Sequence, residues 1–158
     1  MTISAMKILT AAQIREWDQY TMQHEPITSI DLMERVATIC TEKISSLLTE
    51  DTAVLVFCGM GNNGGDGLAI ARLLFEQGRM IQVVVVRHTE NFSEDAHVNF
   101  DRLPESLKKT LITIRTENDA DQLQIKENTR VIDALLGTGT NKPMTGVLKA
   151  ITHKINHS

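Results

Sequence analysis

Cysteine is nearly absent from the 158 residues: only Cys40 and Cys58 occur, each on an apolar stretch and without a metal-like or redox-like spacing. That excludes a disulfide framework and fits a reducing cytoplasm. A basic excess is missing too. The net charge is −4 and no Lys/Arg run interrupts the mixed charges, so nucleic acid is not an expected partner. The amino terminus carries one Lys before Thr10 and no apolar run of signal-peptide length, and the longest apolar stretches are far too short to cross a bilayer. A soluble chain with no membrane partner is expected. There is no internal repeat or low-complexity tract, and a length of 158 residues fits one domain on the usual scale of roughly 100–150 residues.

What is present is a regular alternation of patterns. Thr10 is followed by Gln13 in capping-box spacing, and Ile14, Trp17 and Thr21 share a helical face, which predicts a helix from Ala11 to Met22. Pro26 breaks it. Thr28 and Asp31 repeat the capping pattern, and Leu32, Val36, Cys40, Ile44 and Leu47 form an apolar stripe on a second helix. Four short apolar runs then read as strands: Ala53 to Cys58, Ile81 to Val86, Leu111 to Ile114 and Arg130 to Asp133. Helical spacing separates them over Gly64 to Gly78, Phe92 to Leu103 and Asp119 to Leu123, and returns from Met144 to Asn156. Alternating strand and helix predict an α/β class with a parallel, doubly wound sheet, preceded by two helices that cover its outside or serve self-association. A last helix with no strand after it predicts a sheet whose final part is missing.

The first strand runs directly into Cys58-Gly-Met-Gly-Asn-Asn-Gly-Gly-Asp-Gly67. A glycine turn between a strand and a helix lets a phosphate approach unpaired N–H groups at the positive end of the helix. Gly59, Gly61 and Gly64 satisfy G-x-G-x-x-G, yet Arg87 and His88 stand where the ordinary dinucleotide site wants an acidic residue after the second strand. A phosphotransferase loop fails as well, because Gly65 and Asp66 occupy the Lys and Ser/Thr positions. Asn62, Asn63 and Asp66 are more polar than the turn requires. Asp66 is either a ligand-facing carboxylate or a plain helix cap, the latter worth roughly 1 kcal/mol.

The fourth strand ends in Val131-Ile-Asp-Ala-Leu-Leu-Gly-Thr-Gly-Thr-Asn-Lys-Pro143. In a sheet of order 3-2-1-4, the carboxyl ends of the first and fourth strands flank the switch point, so the two loops are expected to meet there. Asp133 at the strand end is expected among apolar neighbours, where it needs a cation or several donors, unless it caps the loop that follows.

These residues resemble the YjeF amino-terminal domains, the NAD(P)H-hydrate epimerases. The resemblance rests on Gly59 to Gly67 and on Asp133-Ala-Leu-Leu-Gly-Thr-Gly139, supported by Ala71-Arg72-Leu73 and Leu32-Met-Glu-Arg35, and covers nearly the whole chain. It implies a three-layer Rossmann-like fold over residues 1–158 as a single domain, cut short at its carboxyl end. It implies an isomerase of nicotinamide dinucleotide repair, interconverting the R and S epimers at C6 of hydrated NADH and NADPH (NADHX and NADPHX) so that a fused or separate dehydratase can restore the cofactor. Substrate contacts carry over to Asn62, Asn63, Gly64, Gly65 and Asp66, and to Gly137, Thr138, Gly139, Thr140, Asn141, Lys142 and Pro143. A potassium ion maps to Asn63 and Asp133, and a homodimer is implied. The family's later Asp-Ile-Pro-Ser-Gly-like loop, with its acid/base group, has no counterpart before Ser158, so no catalytic residue is assigned. An inactive nucleotide- or protein-binding module of the same fold is the alternative.

Three other candidates carry bland readings. Cys58 closes an apolar strand with no His at a suggestive spacing and reads as a small buried hydrophobe. His153 and His157 read as a solvated end beside Lys154 rather than a zinc site. Lys142 is either a phosphate partner or an ordinary loop cation.

Overall fold

A computed structural model describes residues 8–140 and 143–158. Both predicted amino-terminal caps form. Thr10 and Gln13 close a full capping box at the start of α1 (Ala11–His24), and the Thr28 hydroxyl accepts from the Asp31 N–H at the start of α2 (Ser29–Ser45). Each cap satisfies backbone donors that the first helical turn leaves unpaired.

The strands are β1 (Ala53–Cys58), β2 (Met80–Val86), β3 (Ile112–Ile114) and β4 (Arg130–Ala134), and the helices after β1 are α3 (Asn62–Glu76), α4 (Glu94–Asp101), α5 (Glu105–Thr110), α6 (Glu117–Gln122) and α7 (Gly146–Asn156). All pairings are parallel and the order is β3-β2-β1-β4. Val56 lies opposite Val83 on one side and Ile132 on the other. Because successive side chains alternate between faces, β1 and β2 feed two separate cores. Val54, Val56, Val83 and Val85 pack with Leu68 and Leu74 of α3 and Ala37 of α2. Leu55, Phe57, Val84 and Val86 pack with Ile114, Leu135 and Ile151 of α7. Helices thus cover both faces, which is the doubly wound, three-layer arrangement expected from the continuous apolar runs.

The order of strands also places the switch point. After β1 the chain moves outward through β2 and β3, then returns to lay β4 on the other side of β1. The carboxyl ends of β1 and β4 are therefore neighbours whose following helices, α3 and α7, lie on opposite faces of the sheet, the usual ligand crevice of such sheets. Among the described residues β4 has no partner on its outer side.

Two short segments of the family resemblance turn out to touch. Arg72 of α3, whose side chain is only 13% exposed, donates from Nη2 to both oxygens of Glu34 of α2 at 2.5 and 2.6 Å. The neighbouring Arg35 pairs with Glu25 at 2.6 Å. The first pair is two-pronged and half-buried, a geometry that fixes the angle between α2 and α3. By contrast α1 buries none of its residues, and Trp17 and Tyr20 are 62% and 60% exposed.

Several boundaries differ from the sequence reading by one or more residues, and three have a plain local cause. The third helix begins at Asn62 rather than Gly64, because Gly61 in extended conformation acts as its N-cap. The helix expected from Phe92 to Leu103 is shorter, and Pro104 starts a separate helix, α5, over Glu105–Thr110. Proline suits the start of a helix, where its missing N–H costs nothing. Leu111 consequently closes α5 and β3 starts one residue later.

Candidate functional site

The site is built from close backbone approach. Gly59 donates its N–H to Ala134 O at 3.0 Å, and a Cβ on Gly59 would lie 2.0 Å from Leu135 O. A Cβ on Gly64 would lie 2.0 Å from Gly59 O. The amino terminus of α3 is thus pressed onto the turn, and the turn onto the start of the second loop. Only glycine leaves room at these two positions.

The two loops meet, as the strand order predicts. The Asn63 side chain donates from Nδ2 to Leu136 O at 3.2 Å, and Gly137 packs against the same side chain, where a Cβ would come within 3.2 Å of Asn63 Cβ. The Asn63 carboxamide oxygen is left to accept from or coordinate something else. No side chain caps the start of α3, so the N–H groups of its first turn stay available to an anion.

The sequence-derived residues are not all brought to one place. Gly139, Thr140 and Pro143 line a cavity of about 550 Å³ together with Leu136, His88 and the start of α7, a volume in the ordinary range for ligand pockets. Asn62 instead lines a hollow with Thr28, Ser29, Glu94 and Asp95. Gly64 and Gly65 are buried, and Gly137 and Thr138 are exposed. Asn141 and Lys142 lie outside the described residues. His88 is a wall of the larger cavity that sequence reasoning noticed only for failing to be acidic.

Asp66 is not a cap. It sits in the second turn of α3, partly buried, and burial, reinforced by the carboxylates of Asp18 and Asp95, pushes its pKa up to about 6. Asp95 itself accepts from Ser29 Oγ at 2.6 Å. The acidic surroundings come from α1 and α4, elements far from α3 in sequence.

Asp133 departs from expectation in its surroundings. It is exposed at the carboxyl end of β4, which has no outer partner among the described residues, and its Oδ1 accepts the Leu135 N–H at 2.9 Å. The carboxylate therefore braces the start of the second loop, as the capping alternative described, with no burial to be offset.

Cys58 is fully buried, and desolvation pushes its thiol far above the ordinary range, so the thiolate is not populated. It fills the space facing Gly67, where a Cβ would come within 3.1 Å of its sulfur. His157 Nδ1 lies 2.8 Å from His153 O, and the two rings meet tilted by 35° with centroids 4.0 Å apart at the end of α7.

A crystal structure of the yeast protein ynu0 superposes with a TM-score of 0.71 at 23% identity, covering 95% of this chain and 65% of that one, which establishes the shared fold. An NAD(P)H-hydrate epimerase of Roseobacter litoralis is 32% identical over 95% of this chain and 73% of its own length. One of Limosilactobacillus fermentum is 31% identical over 94% of this chain and 67% of its length. A bifunctional NAD(P)H-hydrate repair enzyme of Salinibacter ruber is 31% identical over 94% of this chain but only 29% of its own. The chain thus spans between two thirds and three quarters of the two single-function relatives. The profile described as YjeF-related protein N-terminus matches residues 29–158, a stretch that takes in α2, the glycine turn, the second loop and every strand, and to that family the chain belongs.

Proposed function

We propose that the chain acts as an NAD(P)H-hydrate epimerase, interconverting the R and S epimers of NADHX and NADPHX. The observation that carries this reading is the seam at the carboxyl edge, where Asn63 ties the glycine turn to the second loop beside the large cavity. Kinship to proteins named for that activity supports it. In this reading Asn62 through Asp66 and Gly137 through Pro143 contact the dinucleotide. Its phosphates lie over the uncapped start of α3 and its damaged ring lies toward Asp133. The test is epimerisation of purified R-NADPHX. Asn63→Ala is expected to lower kcat/KM by roughly tenfold or more, the scale of one hydrogen bond to a charged group, with folding intact by circular dichroism. Full activity in the variant removes Asn63 from the site, and no epimerisation by the unaltered chain removes the activity.

A dinucleotide-binding module without chemistry is the second reading, favoured by Asp133 being engaged with its own loop. NADP⁺ binding without epimerisation selects it.

Potassium is proposed at Asn63 and Asp133. Asn63 spends its amide nitrogen on Leu136 O, which leaves an amide oxygen, and hard cations prefer amide, carboxylate and backbone oxygens. Potassium is then expected to raise the melting temperature more than lithium at equal concentration, since only binding to the folded state stabilises it. Identical melting curves in the two salts count against the site.

A homodimer through α1 and α2 is proposed on the exposed Trp17, Tyr20, Val36 and Ile39, an apolar set that a second copy would cover. Light scattering at high concentration is expected to give twice the chain mass, and a monomer mass refutes it. A dehydratase, joined or separate, is the proposed consumer of the product, as the bifunctional relatives suggest. Among the described residues no helix is long and apolar enough to cross a membrane, and the two free cysteines suit the cytoplasm.

A further inference from the structure

The end of β2 carries a second, smaller cleft that the epimerase reading does not use. It measures about 210 Å³ and is lined by Arg87, Asn91, His97 and Thr113 with the rings of Phe92 and Phe100. Ligand pockets usually run to roughly 300–1,000 Å³, so this one takes a substituent rather than a whole dinucleotide. Its one permanent cation is Arg87, and Asn91, Thr113 and His97 can donate beside it, His97 Nε2 also lying 3.6 Å from Asp101 Oδ2. Arg87 is anchored at the strand end by its N–H to Ile114 O at 2.8 Å, and its guanidinium lies 5.6 Å from the centre of the Phe92 ring. Stacking of that kind orients the guanidinium while leaving its N–H edge free. Among the described residues no carboxylate pairs with Arg87.

The place of this cleft matters as much as its lining. Phe92, Phe100 and Val85 belong to the core on the α3 and α4 side of the sheet, whereas Leu136, Val147 and Leu148 of the larger cavity belong to the core on the α7 side. Arg87 faces the first and His88 the second, and the two are consecutive in the chain. A ligand crossing the sheet edge at the end of β2 can therefore reach both. In dinucleotide sites of doubly wound sheets, the residue at this strand end meets the adenosine ribose. An acid there holds the 2′-hydroxyl, and an Arg accommodates a 2′-phosphate.

We propose that Arg87, with Asn91 and His97, binds the 2′-phosphate of the dinucleotide, so that the chain prefers NADPHX to NADHX; this rests on the epimerase reading and specifies its substrate. The probes are NADP⁺ and NAD⁺, titrated calorimetrically into the full chain. NADP⁺ is expected to bind about tenfold more tightly. Arg87→Gln is expected to bring NADP⁺ to the affinity of NAD⁺ while changing NAD⁺ by less than about twofold, and Arg87→Lys to restore part of the difference.

Equal affinity of the unaltered chain for the two dinucleotides overturns the inference and leaves the epimerase reading standing. Parallel loss of both in Arg87→Gln, with Arg87→Lys no better, also overturns it, because the residue then serves the fold. Inorganic phosphate displacing NADP⁺ at matching concentrations makes the cleft a site for free phosphate and overturns the assignment to the 2′-phosphate. Binding of neither dinucleotide removes both the preference and the larger reading.

Discussion

Gly59→Ala is expected to destabilise the chain by roughly 3 kcal/mol, the upper part of the range for overpacking a filled site. For a domain of about this size that is a fall of roughly 6–12 °C in melting temperature. The added methyl would stand 2.0 Å from Leu135 O, and the obstacle is backbone, which cannot rotate away as a side chain can. Relief requires the second loop to move off the turn, and this withdraws Leu136 O from Asn63. Dinucleotide binding is therefore expected to weaken along with stability. Gly139→Ala is the control: a Cβ there meets nothing within 4 Å, so stability should hold or rise slightly through a stiffer unfolded chain. Melting of Gly59→Ala within about 2 °C of the unaltered protein would show that the loop yields, and the close-approach account would fail.

Asp66→Asn is expected to change the pH dependence of stability in one direction only. The carboxyl rises from an ordinary 3.8 to about 6 in the folded chain, so the folded state holds this proton more tightly than the unfolded state does. Its contribution to stability is full below about pH 4 and is lost as the pH rises through about 6. The variant cannot ionise there. The difference in melting temperature between variant and unaltered protein should therefore grow in favour of Asn from pH 4 to pH 7 and then level off. Subtracting one protein from the other cancels groups such as Asp119, whose pKa is lowered by N–H donors from Arg115 and Thr116. A constant difference across that window, or one that grows in the opposite sense, would mean that Asp66 titrates normally.

The sheet was legible because its strands are written in apolar runs that few other structures tolerate. Val54 to Cys58 and Val83 to Val86 are buried on both faces, and no amphipathic pattern could have produced those runs. The capping pairs at Thr10 and Thr28 were legible for a related reason: the signal lies within three residues. What could not be read were contacts made at long range. The pKa of Asp66 depends on Asp18 and Asp95, which no local pattern ties to the glycine turn. Asp133 reads as buried because its neighbours are apolar, yet it is exposed at the end of β4 with its carboxylate on the Leu135 N–H, a placement set by the fold and not by composition. The start of α3 was misplaced because Asn62 and Asn63 look like turn residues, and Gly61 in extended conformation made them the first residues of a helix.

The contact between Asn63 and Leu136 spans 73 positions of the chain. During folding, the glycine turn can form as soon as β1 and α3 dock, but its far wall does not exist until β4 has found the other side of β1. Closing so long a loop is slow compared with local structure, because chain entropy is lost before any contact repays it. The proposed ligand mouth is thus among the last features to assemble, and a chain arrested with β1 to β3 in place would look half native by circular dichroism yet lack one wall of it. Ligand affinity, followed during refolding, reports on the arrival of β4 rather than on the growth of secondary structure.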